Sequence, residues 1–179
     1  PMSIRLATST FQMGETAKLF LKFTTPFWHK DVHLYVRMPS HDEDSLKLIW
    51  NEFQAYGSKD NKMYYLCLTA TGNELKTFRK LHRENRLVEV ALQAVADTVG
   101  SFMNLTDYKT SIFETYAGHR ISWWTHDSEP YIRGSWSSSR PNCTTEDILI
   151  LDKVNDLTAG SKLFFAGEAF SRHHRGTLH

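Results

Sequence analysis

Along residues 17–23 the chain alternates, with Leu19, Leu21 and Phe23 on one face and Lys18, Phe20 and Lys22 on the other. That two-residue period predicts a strand with one buried face, ending at Thr24-Thr25-Pro26. Residues 33–38 predict a second short strand, stopped by Pro39, and the aromatic-rich residues 62–69 a third. Three such segments predict an antiparallel sheet. Over residues 85–99 the period lengthens: Leu87, Val88, Ala91, Ala94, Val95 and Val99 recur at three- and four-residue steps, as on one face of a helix, with Gly100 as a stop. Residues 73–81 predict a shorter helix capped by Asn73, and residues 111–116 another strand.

Beyond Gly118 the pattern breaks into Trp123-Trp124, Gly134-Ser135, Ser137 to Ser139 and Pro141-Asn142, the composition of a long functional loop. Residues 148–151 form a short apolar segment, 156–161 a turn, and 163–166 a buried strand bounded by Gly167. No internal repeat interrupts this order. The elements together predict an α+β fold.

Composition narrows the class. With 41% hydrophobic and 13% aromatic residues, 179 residues suffice for a sizeable core. The 21 basic and 20 acidic residues nearly cancel and are interspersed, so the charge pattern gives no nucleic-acid or anionic-membrane footprint. Cys67 and Cys143 are far apart and lack metal-ligand spacing, which predicts neither a disulfide framework nor a zinc site. No apolar run has the length of a membrane span, no signal peptide opens the sequence, and nothing names a compartment. Pro1 at one end and Thr177-Leu178-His179 at the other predict a fragment or a processed subunit.

The chemistry concentrates near the C-terminal end. An apolar segment delivers its backbone to Gly167, where a ligand can approach closely, and the next residue is the carboxylate Glu168. An ionised carboxylate only accepts hydrogen bonds, which suits a ribityl or ribose hydroxyl. A second glycine, Gly176, would open a helix whose free amides face an electron-rich group. A bare Gly-Glu pair is more often a surface glutamate after a core strand; the longer pattern changes that weighting. Phe165-Ala166-Gly167-Glu168 followed by Gly176-Thr177-Leu178-His179 resembles the closing motif of flavin-containing amine oxidases, a family that includes monoamine, polyamine and L-amino acid oxidases and flavin-dependent histone demethylases.

The resemblance implies an amine oxidase substrate domain, a mixed or antiparallel sheet with helices over residues 1–120. Residues 121–179 would then line the flavin as an incomplete C-terminal part of an FAD-binding α/β domain. It assigns Gly167 and Glu168 to the FAD ribityl chain, and Gly176 with the backbone of Thr177 and Leu178 to the edge of the flavin ring. Pro130-Tyr131-Ile132-Arg133-Gly134-Ser135-Trp136-Ser137 is similar to a second family signature, in which monoamine oxidases carry a cysteine bonded to FAD. Ser135 stands at that position, which implies non-covalent FAD. Trp136 would form an aromatic wall of the substrate cage, able to favour a nearby cation, and Thr177 falls at the second wall. Trp124 is counted with the cofactor-lining residues; core packing is the alternative for Trp123, Trp124 and Trp136.

Lys18, on a strand followed by Pro26-Phe27-Trp28, resembles the family lysine that holds a water beside the flavin. A solvated lysine on an edge strand is the alternative. His173 and His174 have no evident metal partners, His179 belongs to the family motif, and no metal is expected. The implied reaction is oxidation of a C–N bond of an amine, polyamine or amino acid, with hydride passed to flavin and hydrogen peroxide formed by oxygen. No Gly-x-Gly-x-x-Gly run follows a strand, so the nucleotide end of FAD would need an N-terminal part supplied by the same parent chain or another subunit, and the isolated chain would be inactive. A binding module derived from an oxidase, without redox activity, is the alternative.

Overall fold

The computed structural model describes residues 2–37, 46–56, 62–103, 108–125, 131–160, 162 and 164–171. The chain divides into two compact units, Thr16–Trp123 and the pair of segments Pro1–Glu15 and Trp124–His179.

The first unit is built on a five-stranded sheet. Its strands are β2 (Thr16–Phe23), β3 (Leu34–Val36), β4 (Leu48–Tyr56), β5 (Met63–Thr71) and β6 (Tyr116–Trp124), in the order β3-β4-β5-β2-β6. Strands β3, β4, β5 and β2 pair antiparallel in succession. The alternation that predicts β2 matches its burial: Leu19, Leu21 and Phe23 are fully buried, while Lys18, Phe20 and Lys22 are only partly covered. The pairing sets Lys18 opposite Thr69 and Lys22 opposite Tyr65. The sequence pattern misses β4 because register shifts between Trp50 and Phe53, and again between Phe53 and Tyr56, break its two-residue period.

Helices α2 (Gly72–Arg83) and α3 (Leu87–Val95) complete this core, supplying Leu75, Phe78 and Leu81 from one and Leu87, Ala91, Leu92 and Val95 from the other. Fully burying a side chain such as Phe78 contributes on the order of 2 kcal/mol. The cap of α2 is Thr71 rather than Asn73. Gly72 follows it at φ 56, a left-handed conformation that glycine adopts without the Cβ clash. Gly100 does not stop α3. The helix widens into a π turn over Ala96–Gly100 and a further backbone bond, from the Met103 amide to the Val99 carbonyl, carries it on. Residues 111–115, expected as strand, belong to helix α4 (Tyr108–Thr115), and β6 begins only at Tyr116. Five residues are too few for periodicity to separate the two conformations, and the buried Ile112 beside the exposed Phe113 satisfies either.

The second unit contains α1 (Met2–Ser9), β1 (Phe11–Met13), β7 (Ser137–Ser139), α5 (Thr145–Asp152), α6 (Val154–Leu157) and a 3-10 turn at Glu168–Phe170. Strand β1 runs antiparallel to β7, with Met13 opposite Ser137. The expected long loop therefore contains the end of β6 and all of β7. Helix α5 begins in a capping box: Thr144 Oγ1 accepts from the Asp147 amide, and the Asp147 carboxylate accepts from the Thr144 amide and hydroxyl. Residues 156–157 close α6, and residues 158–160 make the expected turn, whose last position, Ser161, lies outside the described residues.

Residues 164–166 of the expected strand at 163–166 are not a buried strand. Leu163 lies outside the described residues, residues 164–166 have no regular structure, and Phe164 is 81% exposed. The Phe165 backbone is held instead by the Asn155 amide group, which accepts from the Phe165 N–H and donates to its carbonyl, both at 2.8 Å. A side chain thus supplies the two hydrogen bonds that a neighbouring strand would have made.

Candidate functional site

In the second unit, the turn out of β1 and the approach to β7 meet at two glycines. The Gly14 amide donates to the Trp136 carbonyl at 2.7 Å, and the Gly14 carbonyl accepts from the Ser135 amide at 2.7 Å and the Ser135 hydroxyl at 3.0 Å. Gly134 sits at φ 140, and a Cβ there would fall 2.5 Å from the Gly14 carbonyl oxygen and 2.2 Å from Met13 Cγ. Only glycine permits that approach. Trp136, next along, is 40% exposed.

One residue further, Ser137 is buried and joins β7 to the 3-10 turn. Its amide donates to Glu168 Oε1 at 2.8 Å and its hydroxyl to Glu168 Oε2 at 3.0 Å. Hydrogen bonds to an ionised group are about twice as strong as neutral ones, so this pair fixes the carboxylate firmly. Immediately before it, Gly167 has φ 126 and, among the described residues, nothing within 4 Å of the position a Cβ would take. A half-buried carboxylate thus stands beside backbone that a ligand can approach closely.

Of the sequence-predicted site residues, the structure gathers Ser135, Trp136, Gly167 and Glu168 in one unit, with Ser137 bonding directly to Glu168. Trp124 is 44% exposed at the end of β6. Lys18 lies in the other unit, half-buried on β2. Gly176, Thr177, Leu178 and His179 lie outside the described residues, as do His173 and His174. Trp123, by contrast, serves packing: it meets Phe78 edge-on at 5.5 Å and His82 at 5.4 Å between ring centroids.

Sequence reasoning missed Ser137 and Gly14. Ser137 stands inside the glycine-aromatic signature, but its partner is 31 residues away and only the fold reveals it. Among the described residues no three His, Cys, Asp or Glu side chains cluster as a metal site, and no helix is long and apolar enough to cross a membrane.

A sequence model of the flavin containing amine oxidoreductases matches residues 3–179, nearly the whole chain. The chain belongs to that family. No curated protein matches it. The family's cofactor is a flavin and its general chemistry the flavin-dependent oxidation of amines. The residues described here suit such a group. The Glu168 carboxylate is a hydrogen-bond acceptor and lies next to Gly167, where no described atom stands within 4 Å of the position a Cβ would take. A polyhydroxylated chain such as ribityl calls for that combination of acceptor and close backbone approach.

Proposed function

We propose that this amine oxidoreductase binds FAD non-covalently and oxidises a C–N bond of an amine, polyamine or amino acid, with oxygen as the electron acceptor and hydrogen peroxide as a product. When bound, the flavin supplies the redox chemistry, accepting hydride from the substrate carbon and passing electrons to oxygen. The observation that carries this reading is the Glu168 carboxylate, aimed by Ser137 and set beside the open Gly167.

In this reading Glu168 accepts hydrogen bonds from ribityl hydroxyls, and Gly167 lets the cofactor approach the backbone. Gly176, Thr177 and Leu178 lie along the ring edge, where free amides would stabilise developing negative charge. Trp124 lines the cofactor. Ser135, where a covalently flavinylated relative has cysteine, has no thiol to offer, and its hydroxyl is directed at the Gly14 carbonyl. Trp136 offers an exposed aromatic face to an apolar or cationic amine, and by family resemblance Thr177 is assigned to the second wall. Lys18, on the partly covered face of a strand whose alternate face is buried, holds a water beside the flavin.

We assign residues 1–120 to substrate binding and 121–179 to lining the flavin. The sequence contains no Gly-x-Gly-x-x-Gly run, so the nucleotide end of FAD is assigned to a segment outside these 179 residues, on the same parent chain or another subunit. The 179 residues alone are then expected to retain little flavin.

The test is peroxide formation by the flavin-loaded protein on monoamines, polyamines and L-amino acids. Peroxide that depends on one of these classes supports the proposal. Bound flavin with no turnover on any of them would instead favour a binding module.

A further inference from the structure

We infer that Ser137 is a positioning residue, which couples the flavin-facing carboxylate of Glu168 to the strand that begins beside Trp136. The inference rests on the assignment of Glu168 to the flavin. Three observations carry it. Ser137 is buried and gives Glu168 two parallel hydrogen bonds, one to each carboxylate oxygen, so the plane of the carboxylate is set as well as its position. Strand β7 is fixed in turn by its pairing with β1, through Met13 opposite Ser137 and Gln12 opposite Ser138. Trp136 is held on both sides, since its own carbonyl accepts from Gly14 and its two neighbours are bonded to Gly14 and Glu168.

Within the 3-10 turn that bears Glu168, the Phe170 and Ser171 amides bond back to the Gly167 and Glu168 carbonyls, which closes the turn. Ser137 reaches both oxygens of the carboxylate from 31 residues away in sequence. A shift of β7 would therefore move the cofactor acceptor and the aromatic wall together.

The experiment is a double-mutant cycle on flavin binding. It uses S137A, E168Q and the double variant in the parent protein, with the flavin dissociation constant followed by fluorescence quenching and S138A as a control on the same strand. S137A removes the hydroxyl donor and leaves the amide, so flavin affinity should fall about tenfold, with the KM for amine rising as well. E168Q should weaken flavin at least as much, and adding S137A to E168Q should change it less than about twofold. S138A should leave the constant unchanged.

If E168Q weakens flavin binding but S137A does not, or if the two effects add in full, Ser137 does not act through Glu168 and the inference is overturned while the assignment of Glu168 stands. If E168Q leaves flavin affinity unchanged, both fall. Should S137A fail to fold, S137T retains the hydroxyl donor and is expected to bind flavin within about threefold of the parent; a tenfold loss in folded S137T overturns the inference.

Discussion

Replacing Gly134 with alanine tests whether the close approach of the two glycines holds the Trp136 segment in place. The backbone there has φ 140, a conformation that costs a residue with a Cβ about 1–3 kcal/mol. The new methyl would also lie 2.5 Å from the Gly14 carbonyl oxygen and 2.2 Å from Met13 Cγ. Met13 is half-exposed and can swing aside, but the carbonyl belongs to backbone that is hydrogen-bonded to Ser135. Forced repacking of that kind costs a further 1–3 kcal/mol or so, for a total of about 2–6 kcal/mol.

Gly160→Ala is the matched control in the same unit, since Gly160 has φ 89 with no described residue within 4 Å of a Cβ and so incurs the conformational cost alone. Hydrogen exchange at the Gly14 and Ser135 amides reads the effect locally, because each donates across the glycine contact. Gly134→Ala should lose about thirtyfold of protection at both amides relative to Gly160→Ala, and M13A in the same background should restore only a small part. Equal protection in the two alanine variants would refute the reasoning.

Three other substitutions probe separate parts of the account. Asn51 is buried, accepts from the Trp28 indole at 3.0 Å and donates to the Val32 carbonyl at 3.0 Å, so N51A should destabilise the sheet unit by about 2–4 kcal/mol in urea unfolding; a loss under about 0.5 kcal/mol would show those groups find other partners. K18M should lower turnover or flavin reoxidation about tenfold or more while leaving flavin affinity within about twofold, and an unaffected rate would remove the role assigned to Lys18. Hydrogen bonds from the Thr144 amide, and then from its hydroxyl, hold the Asp147 carboxyl below the usual carboxylate range. A lowered folded-state value means that the helix contribution is present above the unfolded carboxylate range and is lost as pH falls through the folded value. NMR titration should show the Asp147 midpoint rising in T144A, and an unmoved midpoint would exclude the hydroxyl's part.

The sheet unit was legible where a strand keeps one buried face. Leu19, Leu21 and Phe23 announce β2, and the helical stripe of Leu87, Ala91 and Val95 announces α3, because burial on one side imposes a period. β4 was hidden by its register shifts, and residues 111–115 were too short a run to separate helix from strand. The apolar residues 163–166 look like core by composition, yet Phe164 is exposed and Asn155 supplies the backbone partner that a strand would need. For the site, residue type pointed to Ser135, Trp136, Gly167 and Glu168, while the link between them did not show. Ser137 to Glu168 and Ser135 to Gly14 are bonds across 31 and 121 residues, and no local pattern encodes a contact of that range.

The central claim, that this family member oxidises amines through a flavin partly held by Glu168, is tested most directly by anaerobic mixing of the flavin-loaded protein with an amine. The account predicts that the yellow flavin absorbance bleaches as the imine or its hydrolysis product forms in equal amount. It should return on admission of oxygen with one peroxide per flavin, and E168Q should require far more flavin to reach the same loading. Flavin that stays oxidised under monoamines, polyamines and L-amino acids alike would contradict it.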